Sequence, residues 1–192
     1  GFRVFFLPDD QVRRQPYADA LAALGVELLC GRGIRCGAWK GWLRQTVDAI
    51  DFALLCRPNV APRYLGYLRR QSKARIVYMG VDLRYLRDER RYRVEGDTYY
   101  LRESAYWKPI EIGLCEQADV AYFFSTEEIR EVARHAPDAV ARAIPLFLGD
   151  SGADDGLSFD ERRDLLFVGN FAHAPNVDAL RWFTEEVLPK VR

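Results

Sequence analysis

Short apolar runs alternate with amphipathic segments along most of this sequence, and this alternation limits the possible folds more than any other feature. Runs such as FALLC, IVYMGV and VAYFF carry few polar residues, as expected for strands that are buried on both faces. The segments between them place apolar residues at helical spacing, for example Trp39, Leu43 and Val47. Strands and helices in regular alternation predict an α/β fold, a Rossmann-like parallel sheet with helices on both faces.

Turn and cap residues predict where several elements begin and end. Pro16 and Gly25 are expected to flank the first helix, and Ser125 with Glu128 has the spacing of a capping box before a later one. Residues 165–168 form a last apolar run, which predicts a strand that ends in a glycine turn. A final helix is expected to follow, with Asn176 as its N-cap.

The composition changes after Pro145 and predicts a domain boundary. Residues 149–163 are rich in Gly, Asp and Ser, which is typical of a linker. We therefore expect a Rossmann-like lobe at residues 1–148 and the first β-α unit of a truncated second lobe at residues 164–192. An alternative is that this last unit folds back and completes the main sheet, which would require residues 165–168 to pair with its strands.

Charge and cysteine content exclude several classes of function. The 28 basic residues balance the 28 acidic ones, so a general nucleic-acid-binding protein is not expected. No apolar run has the length of a membrane span, and no signal peptide is recognisable, which favours the cytoplasm. The cysteines lack zinc or redox spacing, so we expect free thiols and no metal site, with a Cys30–Cys36 bridge as the alternative.

Ligands of doubly wound sheets bind at the carboxyl ends of the strands. In this sequence the residues predicted to follow strands include Asp9, the segment from Gly31 to Gly33, Arg57, Asp82, Arg84 and Ser125. Several also have purely structural interpretations, since Asp82 and Ser125 could each cap a helix. Near the end of the chain, Gly169 before a helix could bring backbone N–H groups to an anion, or could simply form a tight turn.

Four segments resemble one enzyme family. DLLFVGNFAHAPNVDALRWFTEEVLPKVR is similar to the start of the C-terminal domain of a GT-B glycosyltransferase of the glycosyltransferase family 4 (group 1) kind. YMGVDLRYLRDER resembles the family's strand followed by Asp-Leu-His, and CRPNVAPRYLGYLRR and EQADVAYFFSTEE resemble further family segments in the right order. Together they span residues 50–192, and the family's histidine is replaced by Arg84.

The resemblance implies a hexosyltransferase-like enzyme that transfers a sugar from a nucleotide-sugar donor to a glycan or lipid-linked acceptor, in cell-surface polysaccharide synthesis. It implies no cofactor and no metal, and a place in the cytoplasm or at the inner face of the membrane. The residues implied on the acceptor side of the inter-domain cleft are Arg57, Asp82, Arg84 and Ser125. The residues implied in donor binding are Gly169, Asn170 and His173.

No catalytic residue is assigned, and the chain by itself is expected to be inactive because the family's donor-binding region would lie largely beyond residue 192. This interpretation also allows the membrane surface and a second copy of the chain as partners. The alternative function is a non-catalytic α/β binding or regulatory module. A NAD-dependent enzyme is disfavoured because the glycine fingerprint GxGxxG is absent.

Overall fold

The computed structural model describes residues 1–30, 39–145, 156 and 158–191. The chain divides into two compact units, Gly1–Phe147 and Leu148–Arg192, and each is treated by itself. Most of the predicted linker, and the segment from Gly31 to Gly33, lie outside the described residues. The first unit holds the sheet and the second is helical, so the fold can be built from the first unit alone.

Strands and helices alternate through the first unit as predicted. Its strands are β1 (Phe5–Phe6), β2 (Glu27–Leu28), β3 (Phe52–Cys56), β4 (Arg75–Val81), β5 (Val120–Phe123) and β6 (Ala141–Ala143). Its helices are α1 (Tyr17–Ala23), α2 (Trp39–Thr46), α3 (Ala61–Gln71), α4 (Arg84–Glu95), α5 (Thr98–Gln117) and α6 (Thr126–His135). A single 3₁₀ turn, Val47–Ala49, extends α2 towards β3.

All strand pairs are parallel, which confirms the α/β class. Strands β3, β4, β5 and β6 form one sheet in that spatial order, and β1 and β2 form a separate two-stranded pair. Parallel neighbours need crossover connections, and here a helix or a pair of helices provides each of them. Because the strands run in one direction, the residues that follow β3, β4 and β5 meet at one edge of the sheet.

The core lies between one face of this sheet and the helices that pack on it. Tyr78, Ala121 and Phe123 from the central strands are fully buried there, together with Leu65 of α3 and Val132 of α6. The burial of these apolar side chains supplies the main driving force for folding. On the other face of β3, Phe52 and Leu54 stay exposed among the described residues.

A bulge near the end of β4 depends on a glycine. The register between β4 and β5 shifts between Met79 and Val81, with Gly80 at the irregularity. A Cβ atom on Gly80 would lie within 2.7 Å of the Cζ atom of Phe123, well inside van der Waals contact. Only glycine therefore lets the Phe123 ring pack against the backbone of the central strand.

We expect Gly80→Ala to lower the free energy of unfolding by about 1–3 kcal/mol, because the added methyl group must displace the Phe123 ring. Urea unfolding followed by circular dichroism would measure the change. Gly113→Ala is the matched control: it lies inside α5, and its Cβ would meet only the Gln117 Nε2 atom at 3.6 Å. That control should gain about 0.5–1 kcal/mol from helix propensity. Equal stability of the two variants would refute the packing argument.

The second unit contains the predicted final helix but not the predicted strand. Helix α7 (Ala174–Trp182) continues through a π-helical turn (Phe183–Val187) into α8 (Leu188–Val191). Residues 165–168 form no regular secondary structure, and Leu166 and Val168 are 91% and 85% exposed. A strand forms only where a neighbour accepts its backbone hydrogen bonds. Whether this segment completes the main sheet depends on how the two units are placed, and that alternative stays a prediction.

Three of the four cysteines lie within the described residues. Cys30, Cys56 and Cys115 are free thiols, whereas Cys36, needed for the alternative bridge, lies outside the described residues. No helix in the described parts of the chain combines the length and the apolar character needed to cross a membrane.

Candidate functional site at the carboxyl ends of the strands

Three of the predicted acceptor-side residues reach the same edge of the sheet. Arg57 directly follows β3, Asp82 directly follows β4, and Ser125 lies two residues after the end of β5. Arg84, the fourth, is the first residue of α4. The topology therefore brings the predicted residues together as the rule for doubly wound sheets requires.

Backbone strain marks the ends of two neighbouring strands. Arg57 and Val81 both adopt left-handed backbone conformations, with φ of 70° and 69°. This conformation is unusual for any residue other than glycine, and for a β-branched residue such as Val81 it is an outlier that costs about 1–3 kcal/mol. Strain of this kind persists only where the surroundings impose it, and it is concentrated at functional sites.

The loop after β4 holds Asp82 without using it as a helix cap. The Asp82 carboxylate accepts a hydrogen bond from Arg87 Nη1 at 2.7 Å, and its backbone N–H donates to the carbonyl of Gly80 at 2.9 Å. The N-cap position of α4 belongs to Leu83, whose apolar side chain makes no capping bond. The capping interpretation of Asp82 is therefore wrong, and its partly exposed carboxylate pairs with Arg87 of α4 instead.

Two glutamates from other helices take the place of the missing cap. Glu128 of α6 accepts the backbone N–H of Leu83 at 2.9 Å. Glu111 of α5 accepts the backbone N–H of Arg84 on one carboxylate oxygen and that of Tyr85 on the other, both at 2.8 Å. These N–H groups are among those that a helix start leaves without internal partners. The first turn of α4 is thus fixed by α5 and α6.

The Arg84 side chain packs back onto α5. Its Nη2 atom donates to Glu103 at 2.8 Å, its Nε atom lies 3.6 Å from Asp88, and the guanidinium stacks 4.2 Å above the ring centre of Trp107. The Trp107 indole N–H donates to the same Glu103 carboxylate at 3.1 Å. Arg84 therefore stiffens the loop and is neutralised by carboxylates, rather than extending freely from the edge.

Ser125 does cap a helix, as the sequence suggests. It is the N-cap of α6, and its hydroxyl accepts the backbone N–H of Glu127 at 3.1 Å. Glu128, the other half of the predicted capping box, also reaches the neighbouring loop at Leu83. Its pKa is raised by burial, although the backbone N–H groups of Leu83 and Ser125 oppose that shift.

Glu111 is the most perturbed carboxyl group at this edge. It is fully buried, and burial raises its pKa to about 7. The hydrogen bonds from Tyr85 and Arg84 lower the pKa, whereas the nearby charge of Asp82 raises it further. A carboxyl group with this pKa changes its charge near neutral pH.

The donor-side residues form a compact turn before α7. The Asn170 side chain accepts the backbone N–H of Ala172 at 2.9 Å, and its carbonyl accepts the backbone N–H of His173 at 3.0 Å. A Cβ on Gly169 would lie 2.8 Å from the ring of Phe167, so a larger residue there would have to displace that ring. His173, not Asn176, is the N-cap of α7, because the Asn176 side chain donates to the Asn170 carbonyl at 3.1 Å.

Sequence reasoning missed Glu111. It lies on the buried side of α5, at helical spacing from Leu114 and Cys115. An acidic residue within an apolar stripe was the available signal, since a buried carboxylate needs polar partners from elsewhere in the fold. Sequence spacing could not name those partners, because they are backbone groups 26 and 27 residues away.

Other features offer weaker candidates. Within the described residues, no group of three or more His, Cys, Asp or Glu side chains is arranged to hold a metal ion. An open concavity of about 530 Å³ lies at the amino ends of β3 and β4, lined by residues that include Asp48, Asp51 and Lys73. It lies at the opposite end of the strands from the carboxyl edge, where parallel sheets bind ligands, so we favour the carboxyl edge.

Comparisons of the chain with protein-family models, with curated proteins and with solved structures found no match. Functional inference therefore depends on the residues of the carboxyl edge and on the sequence segments described above.

Proposed function

We propose that this chain supplies the acceptor-binding lobe and the start of the donor-binding lobe of a glycosyltransferase. The enzyme would move a sugar from a nucleotide sugar to a glycan or lipid-linked acceptor in cell-surface polysaccharide synthesis. One observation carries the proposal: the segment that resembles the family's Asp-Leu-His run directly follows β4, where Val81 is strained. Asp82, in that run, shares the edge with Arg57 and Ser125.

The side chains at this edge suit recognition of a sugar acceptor. A carboxylate accepts hydrogen bonds from sugar hydroxyl groups, a guanidinium donates them, and a serine hydroxyl does both. Asp82, Arg57 and Ser125 provide one group of each kind. Such groups orient an acceptor hydroxyl for attack, which is where positioning contributes most to the rate.

Arg84 stands at the position where the family has a histidine, and this affects which residue could act as a general base. A guanidinium keeps its proton at any physiological pH, so Arg84 cannot act as the general base that a histidine could provide. Its bonds to Glu103 and its stacking on Trp107 favour a role in shaping the loop. Leaving-group stabilisation would come from the donor side, where the positive end of the α7 dipole suits a diphosphate.

The proposal includes no metal and no other cofactor. Its partners are the nucleotide sugar and the acceptor, not nucleic acid. A cytoplasmic position with peripheral contact to the inner face of the membrane would give access to a lipid-linked acceptor. Self-association through the exposed Phe52 and Leu54 belongs to the same proposal.

Nucleoside diphosphate release tests this function. The natural polypeptide that carries this sequence would be incubated with UDP-, GDP-, dTDP- and ADP-linked sugars, with and without a polyprenyl-linked or oligosaccharide acceptor. We expect one donor to give acceptor-dependent release. Asp82→Asn should reduce the rate about tenfold or more, since it removes a charged hydrogen-bond acceptor from the acceptor side.

Asp138→Asn is the matched control, because Asp138 is an exposed aspartate in the turn before β6. It should leave the rate unchanged. If no donor gives acceptor-dependent release, the enzyme proposal fails and the non-catalytic α/β binding or regulatory module takes its place.

A further inference from the structure

The start of α4 is held by carboxylates that are distant in sequence. Most helices satisfy their first N–H groups with a local Ser, Thr, Asp or Asn side chain. Here the N-cap is Leu83, and the acceptors are Glu111 and Glu128, 26 to 45 residues away. We call this pair of glutamates, with the three N–H groups that they accept, the carboxylate clamp.

The clamp acts on the loop that carries the candidate acceptor residue. Leu83 and Arg84 immediately follow Asp82, and Val81 before it is in a strained conformation. A strained backbone relaxes unless its surroundings hold it. Charge-assisted hydrogen bonds in a buried setting are among the stronger interactions available for that purpose.

We propose that Glu111 is a positioning residue: its ionised carboxylate, with that of Glu128, holds the loop at Asp82 in the geometry that binds the acceptor, and protonation of Glu111 loosens this hold. This inference rests on the proposed glycosyltransferase function, because it assigns a proton-dependent control to the acceptor side of the same site. Glu111 does not contact the acceptor in this account and acts only through the loop backbone.

The hydrogen bonds at Glu111 are stronger when it is ionised. Each of its oxygens accepts one backbone N–H, and protonation would remove the charge that strengthens both bonds. The charged and titratable groups around it are Tyr78 from β4, Asp82 from the loop, Tyr85 and Arg87 from α4, and Cys115 from α5. Burial nevertheless raises the Glu111 pKa to about 7, so the clamp would change state near neutral pH.

Acceptor kinetics test the positioning role. We expect Glu111→Gln to raise the acceptor KM by about tenfold with a smaller change in kcat, since it misplaces the loop without removing a contacting group. In the wild type, kcat/KM for the acceptor should fall as the pH drops from 8 to 6, and the variant should lack this pH dependence. Glu116→Gln, an exposed position on the same helix, should behave as the wild type.

A second measurement needs no variant. The amide proton resonances of Arg84 and Tyr85 should shift together between pH 6 and 8 in the wild-type protein, with one shared midpoint, because both donate to the same carboxylate. Static resonances would overturn the proton-dependent clamp even in an active enzyme. Resonances that titrate while the acceptor KM stays independent of pH would overturn the positioning role.

The two proposals fail in different ways. If no donor and acceptor are turned over, the glycosyltransferase function fails, and the positioning role falls with it whatever the amide resonances do. If turnover is present but Glu111→Gln folds normally and keeps the wild-type KM and pH profile, the function stands and the inference about Glu111 is wrong.

Discussion

Replacing Phe123 with alanine is expected to lower the free energy of unfolding of the first unit by about 3–5 kcal/mol. Phe123 has no exposed surface, and its ring makes an edge contact with Tyr78, with ring centres 6.3 Å apart. The ring also fills the space above Gly80. Its removal would leave a cavity under the central strand, which cannot collapse without disturbing the bulge of β4.

Urea denaturation would measure this change, and Phe124→Ala provides a neighbouring control. Phe124 follows Phe123 in sequence but remains 38% exposed. Its truncation should cost less than about 1 kcal/mol, because little apolar surface is lost from the core. Similar losses for the two variants would contradict the assignment of Phe123 to the centre of the core.

The stability of the wild type relative to Glu111→Gln should fall by about 3 kcal/mol as the pH rises from below 4.5 to above 7. Glu111 has a pKa of about 7 in the folded protein, against an ordinary value of 4.5. The folded state therefore binds this proton more tightly than the unfolded state does. The stabilising contribution of protonated Glu111 is complete below pH 4.5, and it is lost as the pH rises through about 7.

Chemical unfolding of both proteins at half-unit pH steps would measure the difference. Titrating groups far from Glu111 contribute equally to the two proteins, so the subtraction reports Glu111 together with the charges coupled to it. If the stability of the wild type relative to Glu111→Gln stays constant or increases as the pH rises, burial does not raise the pKa of Glu111.

This pH dependence links stability to the proposed function. Ionised Glu111 makes the hydrogen bonds to Arg84 and Tyr85, yet its pKa shows that burial opposes ionisation more strongly than those bonds favour it. The folded protein is therefore less stable when Glu111 is ionised, although this is the state in which Glu111 holds the loop best. Proteins commonly give up stability at functional sites in this way.

The sequence predicted the parallel sheet and the edge where Arg57, Asp82 and Ser125 meet, because hydrophobic periodicity and strand direction are local properties. It could not predict the strain at Val81 or the burial of Glu111. Both depend on contacts between elements that are far apart in sequence.

Two errors have the same kind of cause. Residues 165–168 have the composition of a strand but pair with no described strand. Asn176 has the side chain of an N-cap, but it bonds to the Asn170 carbonyl and leaves the N-cap position to His173. In each case the local preference of the segment for a strand or a cap is overridden by the hydrogen-bond partners that the fold provides.

Binding of a nucleotide sugar tests the central claim most directly. A thermal-shift screen of the natural polypeptide against UDP-, GDP-, dTDP- and ADP-linked sugars would be run beside an Asn170→Ala variant. We expect one nucleotide class to raise the Tm by several degrees in the wild type and by less in the variant, because the substitution disrupts the turn before α7. The absence of a shift with every donor at millimolar concentration would contradict the glycosyltransferase assignment.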